Sequence, residues 1–189
     1  MSSAAAMKRL SVEFSNLLRQ PTVGVVARPA GEDLLRWEFA LCGPPSTDYE
    51  HGVFRGHLLF PGDYPLSPPR MVFDPPITHP NVYGAGERRG EVCISILHAG
   101  RDATGYERVE ERWSPVQSAH SVLLSVLSML AEPNTESPAN VDAAKLFSQR
   151  PAEFRAQVRR EVARSLGLPP PGEEALGAAA GGQAAGAGR

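Results

Sequence analysis

Leu35, Trp37, Phe39 and Leu41 alternate with Arg36, Glu38, Ala40 and Cys42. A two-residue period predicts a strand with one buried face. Val23 to Arg28, Val53 to Phe60 and Arg70 to Phe73 read as three further strands, separated by turn-rich pieces such as Gly43-Pro44-Pro45. Connections this short favour an antiparallel meander, because a parallel crossover needs roughly a dozen residues or more. Ahead of the strands, Leu10, Phe14, Leu17 and Leu18 share one face of a helix predicted over Ala4 to Arg19 and closed by Pro21. Behind them, Pro75 to Arg112 carries no periodic element. A long stretch of that kind inside a domain is often functional.

Order returns at Ser114-Pro115-Val116-Gln117, which reads as an N-cap, a proline at N1 and a capping-box glutamine. The helix behind it carries Val116, Leu123, Val126, Leu127 and Leu130 on one stripe and stops before Pro133. Asn140 predicts the cap of a short helix to Phe147. Pro151 opens a last helix with Phe154, Val158, Val162 and Leu166 along one side and Gly167 at its end. Helix, strands, long loop and helices make an α+β domain. Pro169 to Arg189 is dominated by Ala, Gly and Pro with a single Leu176, too little apolar surface to offset ordering entropy. The expected division is a folded domain over 1–168 and a disordered tail over 169–189.

Composition removes several functions. Lys+Arg 19 against Asp+Glu 21 gives a net charge of −2, without the basic excess of a generalist nucleic-acid binder. The longest apolar run, Val122 to Ala131, is broken by Ser125 and Ser128 and falls well short of the roughly 20 residues that cross a bilayer. Lys8 and Arg9 are followed by no apolar core, so no signal peptide is expected. Two cysteines, Cys42 and Cys93, form no disulfide framework and suit a reduced, cytosolic or nuclear setting. Cys42 ends an alternating strand and reads as structural. Cys93, inside the long loop, reads either as a nucleophile or as a small buried hydrophobe.

Four motifs surround Cys93. Phe60-Pro61-Gly62-Asp63-Tyr64-Pro65-Leu66-Ser67-Pro68-Pro69 and His79-Pro80-Asn81 lie upstream; Trp113-Ser114-Pro115 and Glu132-Pro133-Asn134 lie downstream. In this order around one cysteine they resemble the ubiquitin-conjugating enzymes, from about Met7 to Leu168. The resemblance implies the family fold: an N-terminal helix, a four-stranded antiparallel meander, a long active-site loop and three C-terminal helices. It implies that Cys93 accepts the ubiquitin C-terminus from the activating enzyme as a thioester, which a lysine amine then attacks. A thioester is already reactive, so the site must mainly orient the amine, favour its neutral form and stabilise the oxyanion. Asn81 suits the oxyanion role as a neutral amide donor and equally suits a brace of the loop. His79, Pro80, His98 and Asp102 are assigned to supporting that loop. Ser137 falls where the family places a gating residue, and its neighbour Glu136 is suited to orienting or deprotonating the lysine. Tyr64-Pro65 is a candidate cis peptide. No cofactor is expected, because ATP is used by the activating enzyme.

Two departures narrow the resemblance. Cys93 and Trp113 stand further apart than in most of the family, and the extra residues include His98, Arg101, Asp102, Tyr106, Glu107, Glu110 and Glu111. With the flanking sequence and the ending Ser165-Leu166-Gly167-Leu168, this resembles the G-type enzymes. Those carry an acidic loop beside the thiol and build degradative chains in endoplasmic-reticulum-associated degradation. Such a loop either attracts an acceptor lysine or is simply solvated, and Arg101 thins its negative charge. Asn81 and Cys93 are also further apart than usual, with the additional residues inside Gly84 to Gly90. Glycine ends suggest an outward bulge, or else a new regulatory contact.

The resemblance also implies partners: ubiquitin, its activating enzyme and a RING-type ligase, with no nucleic acid. Ligase contacts map to Leu66 and Pro68, to Ser114, Pro115 and Val116, and to Lys8 and Arg9 on the first helix. G-type relatives dock a membrane adaptor on the sheet's outer face, which implies recruitment to the cytosolic side of the endoplasmic reticulum. A cysteine protease, a non-catalytic module of the same fold and a transferase for another ubiquitin-like modifier are the competing readings. The first lacks a protease signature around Cys93, and the second would lack Cys93 itself.

Overall fold

Alternation in the strands decides which face of the sheet is buried. The computed structural model describes residues 3–102, 105–169 and 171. It pairs β1 (Val25–Ala30), β2 (Asp33–Cys42), β3 (Val53–Leu59) and β4 (Arg70–Phe73) in sequence order, all antiparallel. Trp37, Phe39, Leu41, Phe54, Leu58, Met71 and Phe73 are buried on one face. Gly56 pairs with both Phe39 and Phe73. A Cβ there would fall 2.7 Å from the Phe39 ring, so its absence lets the two rings meet edge-on at 5.5 Å. The first strand begins two residues later than the sequence suggests, because Val23 is 97% exposed with no partner strand.

α1 (Ser3–Arg19) lays Ala6, Leu10 and Phe14 against the sheet, and Phe14 meets Trp37 edge-on at 5.8 Å. Leu18, expected on the same stripe, is 67% exposed. The helix instead buries Glu13. Its carboxylate accepts the Tyr64 hydroxyl at 2.8 Å and the Ala119 N–H at 2.8 Å, and it pairs with Arg9 at 2.6 Å. A buried carboxylate is tolerated when donors converge on it in this way. One side chain thereby ties the first helix to the Tyr64 loop and to the start of a second helix. Tyr64-Pro65 is cis, as is Asp74-Pro75.

α2 (Ala119–Ala131) starts four residues later than expected. Gln117 N–H donates to Ser114 O at 3.0 Å, so Ser114 to Gln117 is a tight turn with Pro115 inside it. The cap is Ser118, whose hydroxyl accepts from Ser121 N–H at 3.2 Å while the Ser121 hydroxyl accepts from Ser118 N–H. A Ser-Pro pair fits a turn as well as a helix start, which explains the error. Val116 consequently leaves the buried stripe and is 86% exposed. Asn140 caps α3 (Val141–Gln149), and α4 (Pro151–Ser165) buries Phe154 and Val158. Gly167, at φ +72, lets Leu168 N–H close back onto Ala163 O at 2.9 Å. Of the expected tail over 169–189, all but Pro169 and Pro171 lies outside the described residues.

The long loop is anchored from below. The Thr78 hydroxyl donates to Glu161 of α4 at 2.6 Å, and Tyr49 donates to Thr78 O at 2.6 Å. His79 is fully buried. Its Nδ1 accepts from Asn81 N–H at 2.9 Å, so Nε2 carries the proton and donates to Met129 O of α2 at 3.1 Å. Burial pushes the imidazole down from its ordinary value of 6.5 to about 4.

Because the folded value lies below the unfolded one, the unfolded chain takes up this proton first. The His79 contribution is then complete above about pH 6.5 and drains as pH falls toward 4, by up to about 3 kcal/mol. Urea unfolding across this window should show a steeper loss for the wild type than for His79→Gln. Equal slopes would assign the proton uptake to other groups.

Candidate active site

The loop acquires its shape from backbone pairing that no side-chain period announces. Residues 81–83 and 91–93 form a narrow antiparallel neck. Cys93 N–H donates to Asn81 O at 2.9 Å, Tyr83 N–H to Glu91 O at 3.0 Å and Gly90 N–H to Tyr83 O at 2.8 Å. Val92 N–H donates to Met71 O and Phe73 N–H to Gly90 O, which sews the neck to the edge of β4. Gly90 has φ +86, and a Cβ there would sit 2.5 Å from Phe73 O. The segment between, residues 84–89, is exposed. The insertion therefore leaves Asn81 and Cys93 adjacent, and it is a closed hairpin rather than a loose bulge.

Asn81 is 2% exposed. Its Nδ2 donates to Asn134 O at 2.9 Å, and its Oδ1 accepts from Asn134 N–H at 2.9 Å. Both ends of the amide are thus engaged with the backbone behind α2, while the second Nδ2 hydrogen has no acceptor among the described residues. Pro80 is buried beside it, and its carbonyl accepts from Asn140 N–H at 2.9 Å. The Glu132-Pro133-Asn134 motif thereby gains a physical reason: its asparagine backbone is what Asn81 holds.

Cys93 is half-buried in an open cavity of about 550 Å³ that Asn81, His98, Glu107 and Ser137 also line. Its sulfur lies 3.4 Å from His98 Nε2 and 3.7 Å from the Tyr83 hydroxyl. His98 Nδ1 lies 2.7 Å from Glu107 Oε1. With Nδ1–H held by that carboxylate, Nε2 faces the sulfur as an acceptor in the neutral ring and as a donor in the charged one. The His98 bond does most to hold the Cys93 thiol below its ordinary value. Burial opposes it, and the Tyr83 bond and the charges of His98 and Arg88 add to the lowering.

The segment between Cys93 and Trp113 is organised around Glu107. Besides His98, that carboxylate accepts the Ser95 hydroxyl at 3.0 Å and forms an ion pair with Arg112. Arg112 also donates to Gly100 O and Ala99 O, at 2.8 Å each. Asp102 Oδ2 accepts Glu107 N–H at 2.9 Å. Glu107 is thus neutralised internally, and Arg101 and Arg108 share the segment with Glu110 and Glu111. The expectation of an acidic loop rests on a count of acids that these pairings reduce.

Ser137 and Glu136 are exposed, and their N–H groups donate to Asn134 Oδ1 at 3.2 and 3.0 Å. Glu136 also accepts the Tyr106 hydroxyl at 3.3 Å. Leu66 and Val116 are exposed, Pro115 is exposed, and Pro68 and Ser114 are half-buried. Trp113 Nε1–H donates to Pro65 O at 2.9 Å and so joins the loops that carry them. Lys8 is exposed. Arg9 is not free in the same way, since it binds Glu13 and donates to Gln117 O at 2.9 Å. Sequence reasoning missed Tyr83, Arg88 and the central place of Glu107. The position of Tyr83 two residues after Asn81, on the same side of an extended neck, was the available signal. Among the described residues no cluster of His, Cys, Asp and Glu is arranged to hold a metal ion, and no helix is long and apolar enough to cross a membrane.

Comparison with known proteins agrees with this arrangement. The family model for the ubiquitin-conjugating enzyme matches residues 9–162. Ubiquitin-conjugating enzyme E2 G2 of Homo sapiens is 50% identical over 168 residues, 88% of this chain and 99% of that protein. Ubiquitin-conjugating enzyme E2-18 kDa of Schizosaccharomyces pombe is 47% identical over 170 residues, 89% of this chain and 100% of that protein. Ubiquitin-conjugating enzyme E2 14 of Arabidopsis thaliana is 44% identical over 167 residues, covering 87% and 98%. The buried meander, the neck that sets Cys93 beside Asn81 and these near-full-length matches lead to one conclusion: the chain belongs to the ubiquitin-conjugating enzyme family and is a transferase of the G type.

Proposed function

We propose that Cys93 carries ubiquitin as a thioester and passes it to lysine. The observation that supports this most directly is the half-buried sulfur, held between the Tyr83 hydroxyl and His98 at the edge of an open cavity. The thiol proton moves to His98 Nε2, and Glu107 steadies the imidazolium through Nδ1. The thiolate attacks the activating enzyme's thioester carbonyl, and the incoming acyl group leaves that enzyme's sulfur. A neutral lysine amine then attacks the new carbonyl and gives up one proton to solvent, the C–S bond breaks and its electron pair returns to Cys93. Only acyl bonds are exchanged, so the chain needs no cofactor of its own. The catalytic unit is the domain over 1–168.

Asn81 serves first as the brace that registers the Cys93 loop against residue 134, and its remaining Nδ2 hydrogen is the donor for the oxyanion. His79, Pro80, His98 and Asp102 hold the loop, Ser137 lines the cavity, and Glu136 stands next to it with its carboxylate on the Tyr106 hydroxyl. A RING-type ligase binds the joined loops at Leu66, Pro68, Ser114, Pro115 and Val116, with Lys8 at the edge. Exposed Leu66 and Val116 on two loops tied by Trp113 support that reading. The resemblance to G-type enzymes supports degradative polyubiquitin chains in endoplasmic-reticulum-associated degradation. It also supports an adaptor on the sheet's outer face that recruits a cytoplasmic enzyme to that membrane.

Mixing the chain with activating enzyme, ubiquitin and ATP should give an adduct that reductant cleaves. Cys93→Ser should give a slower, reductant-resistant oxyester and Cys93→Ala none; charging of the alanine variant would remove Cys93 from the mechanism. Asn81→Ala should keep single-turnover charging near wild type and slow discharge to lysine by about 2–4 kcal/mol in barrier. It should also lower folding stability by about 1–3 kcal/mol, because Asn134 loses both partners. Equal losses in charging and discharge would leave Asn81 a brace alone. Leu66→Ala should cut ligase-stimulated discharge about tenfold more than unstimulated discharge, read as the ratio of the two rates.

A further inference from the structure

The hairpin over residues 84–90 returns one side chain to the site. Arg88 Nη1–H donates to the Tyr83 oxygen at 2.8 Å, and its guanidinium carbon lies 4.1 Å from the Tyr83 ring centroid. The other edge of the same guanidinium is fixed by Glu91, which accepts Arg88 Nε–H at 2.8 Å. Glu91 is buried and also accepts Arg70 Nε–H at 2.8 Å, so it is held in turn by the end of β4. Arg88, itself half exposed, is thus held across the Tyr83 ring by contacts on both edges of its guanidinium.

A phenol has one O–H donor. With the Arg88 hydrogen aimed at the oxygen, the hydroxyl hydrogen must turn elsewhere, and the Cys93 sulfur lies 3.7 Å away. We propose that Arg88 is a positioning residue, carried by the insertion, that fixes the Tyr83 hydroxyl as a hydrogen-bond donor to the Cys93 sulfur. The inference rests on the reading of Cys93 as the ubiquitin-carrying nucleophile. Tyr83 keeps its own proton throughout. Burial and the contact with Cys93 raise its phenol above the ordinary value, which preserves it as a donor. The thiol proton leaves to His98, on the other side, and the electron pair stays on sulfur facing the phenol. When the thioester later breaks, the returning pair meets the same donor. His98, Tyr83 and the Arg88 charge favour the thiolate and burial opposes it, with Glu107, Glu110, Glu111 and Glu132 also lining the cavity.

The test is the rate of iodoacetamide alkylation of Cys93 from about pH 5 to pH 9, in full-length protein carrying Cys42→Ser to remove the exposed second thiol. Tyr83→Phe and Arg88→Ala should each move the profile to higher pH and slow alkylation at neutral pH by about tenfold. The double variant should be no slower than Tyr83→Phe alone, because Arg88 acts through the hydroxyl. Tyr83→Phe keeps the ring that Arg88 covers, so its profile is read in a folded protein even if Arg88→Ala lowers the unfolding temperature. An unchanged profile in either single variant overturns the proposal. Multiplied effects in the double variant also overturn it, since Arg88 would then act on the sulfur directly. Alkylation requires neither ubiquitin nor ATP. A wild type that shows the expected profiles but never charges would sink the functional reading and spare the positioning one, and the reverse result would do the opposite.

Discussion

The amide of Asn81 closes a ring of two hydrogen bonds with the backbone of Asn134, and the site depends on that ring. It joins a loop that leaves the sheet to a segment that leaves a helix. Cys93 N–H then rests on the Asn81 carbonyl, so the sulfur's position is inherited from the same joint. His79 fixes the joint from beneath, between the Asn81 N–H and the end of α2. Each bond is modest in water-exposed settings and costly to lose when buried, which is why this irregular stretch holds one conformation.

The strands and the first helix were legible in the sequence, and a fixed motif singled out Asn81 and Cys93, though not the backbone pairing between them. Alternation and a fixed motif both encode neighbours close along the chain. The errors lie where one signature serves two structures. Ser114-Pro115 opens a turn as readily as a helix, and only the Ser118 and Ser121 hydroxyls decide between them. Leu18 continues the stripe of α1 on paper, but the sheet does not extend beneath it. Glu13 reads as a surface acid until Tyr64 and Ala119, far away in sequence, converge on it. That convergence also turns Arg9 inward, so a residue expected to face a partner is partly occupied within the fold. Tyr83, Arg88 and Glu107 escaped notice for the same reason, since their partners are fixed by loop geometry that carries no period.

Charge in the loops must be weighed by pairing. Glu91 and Glu107 are each enclosed by basic partners, and neither presents a bare carboxylate to an incoming protein. What these acids do instead is hold Arg88 across the Tyr83 ring and His98 beside the Cys93 sulfur. Both long loops, on opposite sides of Cys93, follow this plan: a buried or half-buried glutamate orients a nitrogenous side chain, which reaches the thiol directly or through a phenol.

The neck over residues 81–83 and 91–93 has one more consequence. Because its backbone bonds close the hairpin below residue 84, the tip is insulated from the frame that carries it. Extra residues there add only a small, slowly growing entropy of closure. Descendants of such a chain can lengthen, shorten or rewrite the tip without unseating Cys93, and any side chain long enough to fold back becomes available for selection. The hairpin is thus a place where new chemistry can be tried out beside an old one at little risk to either.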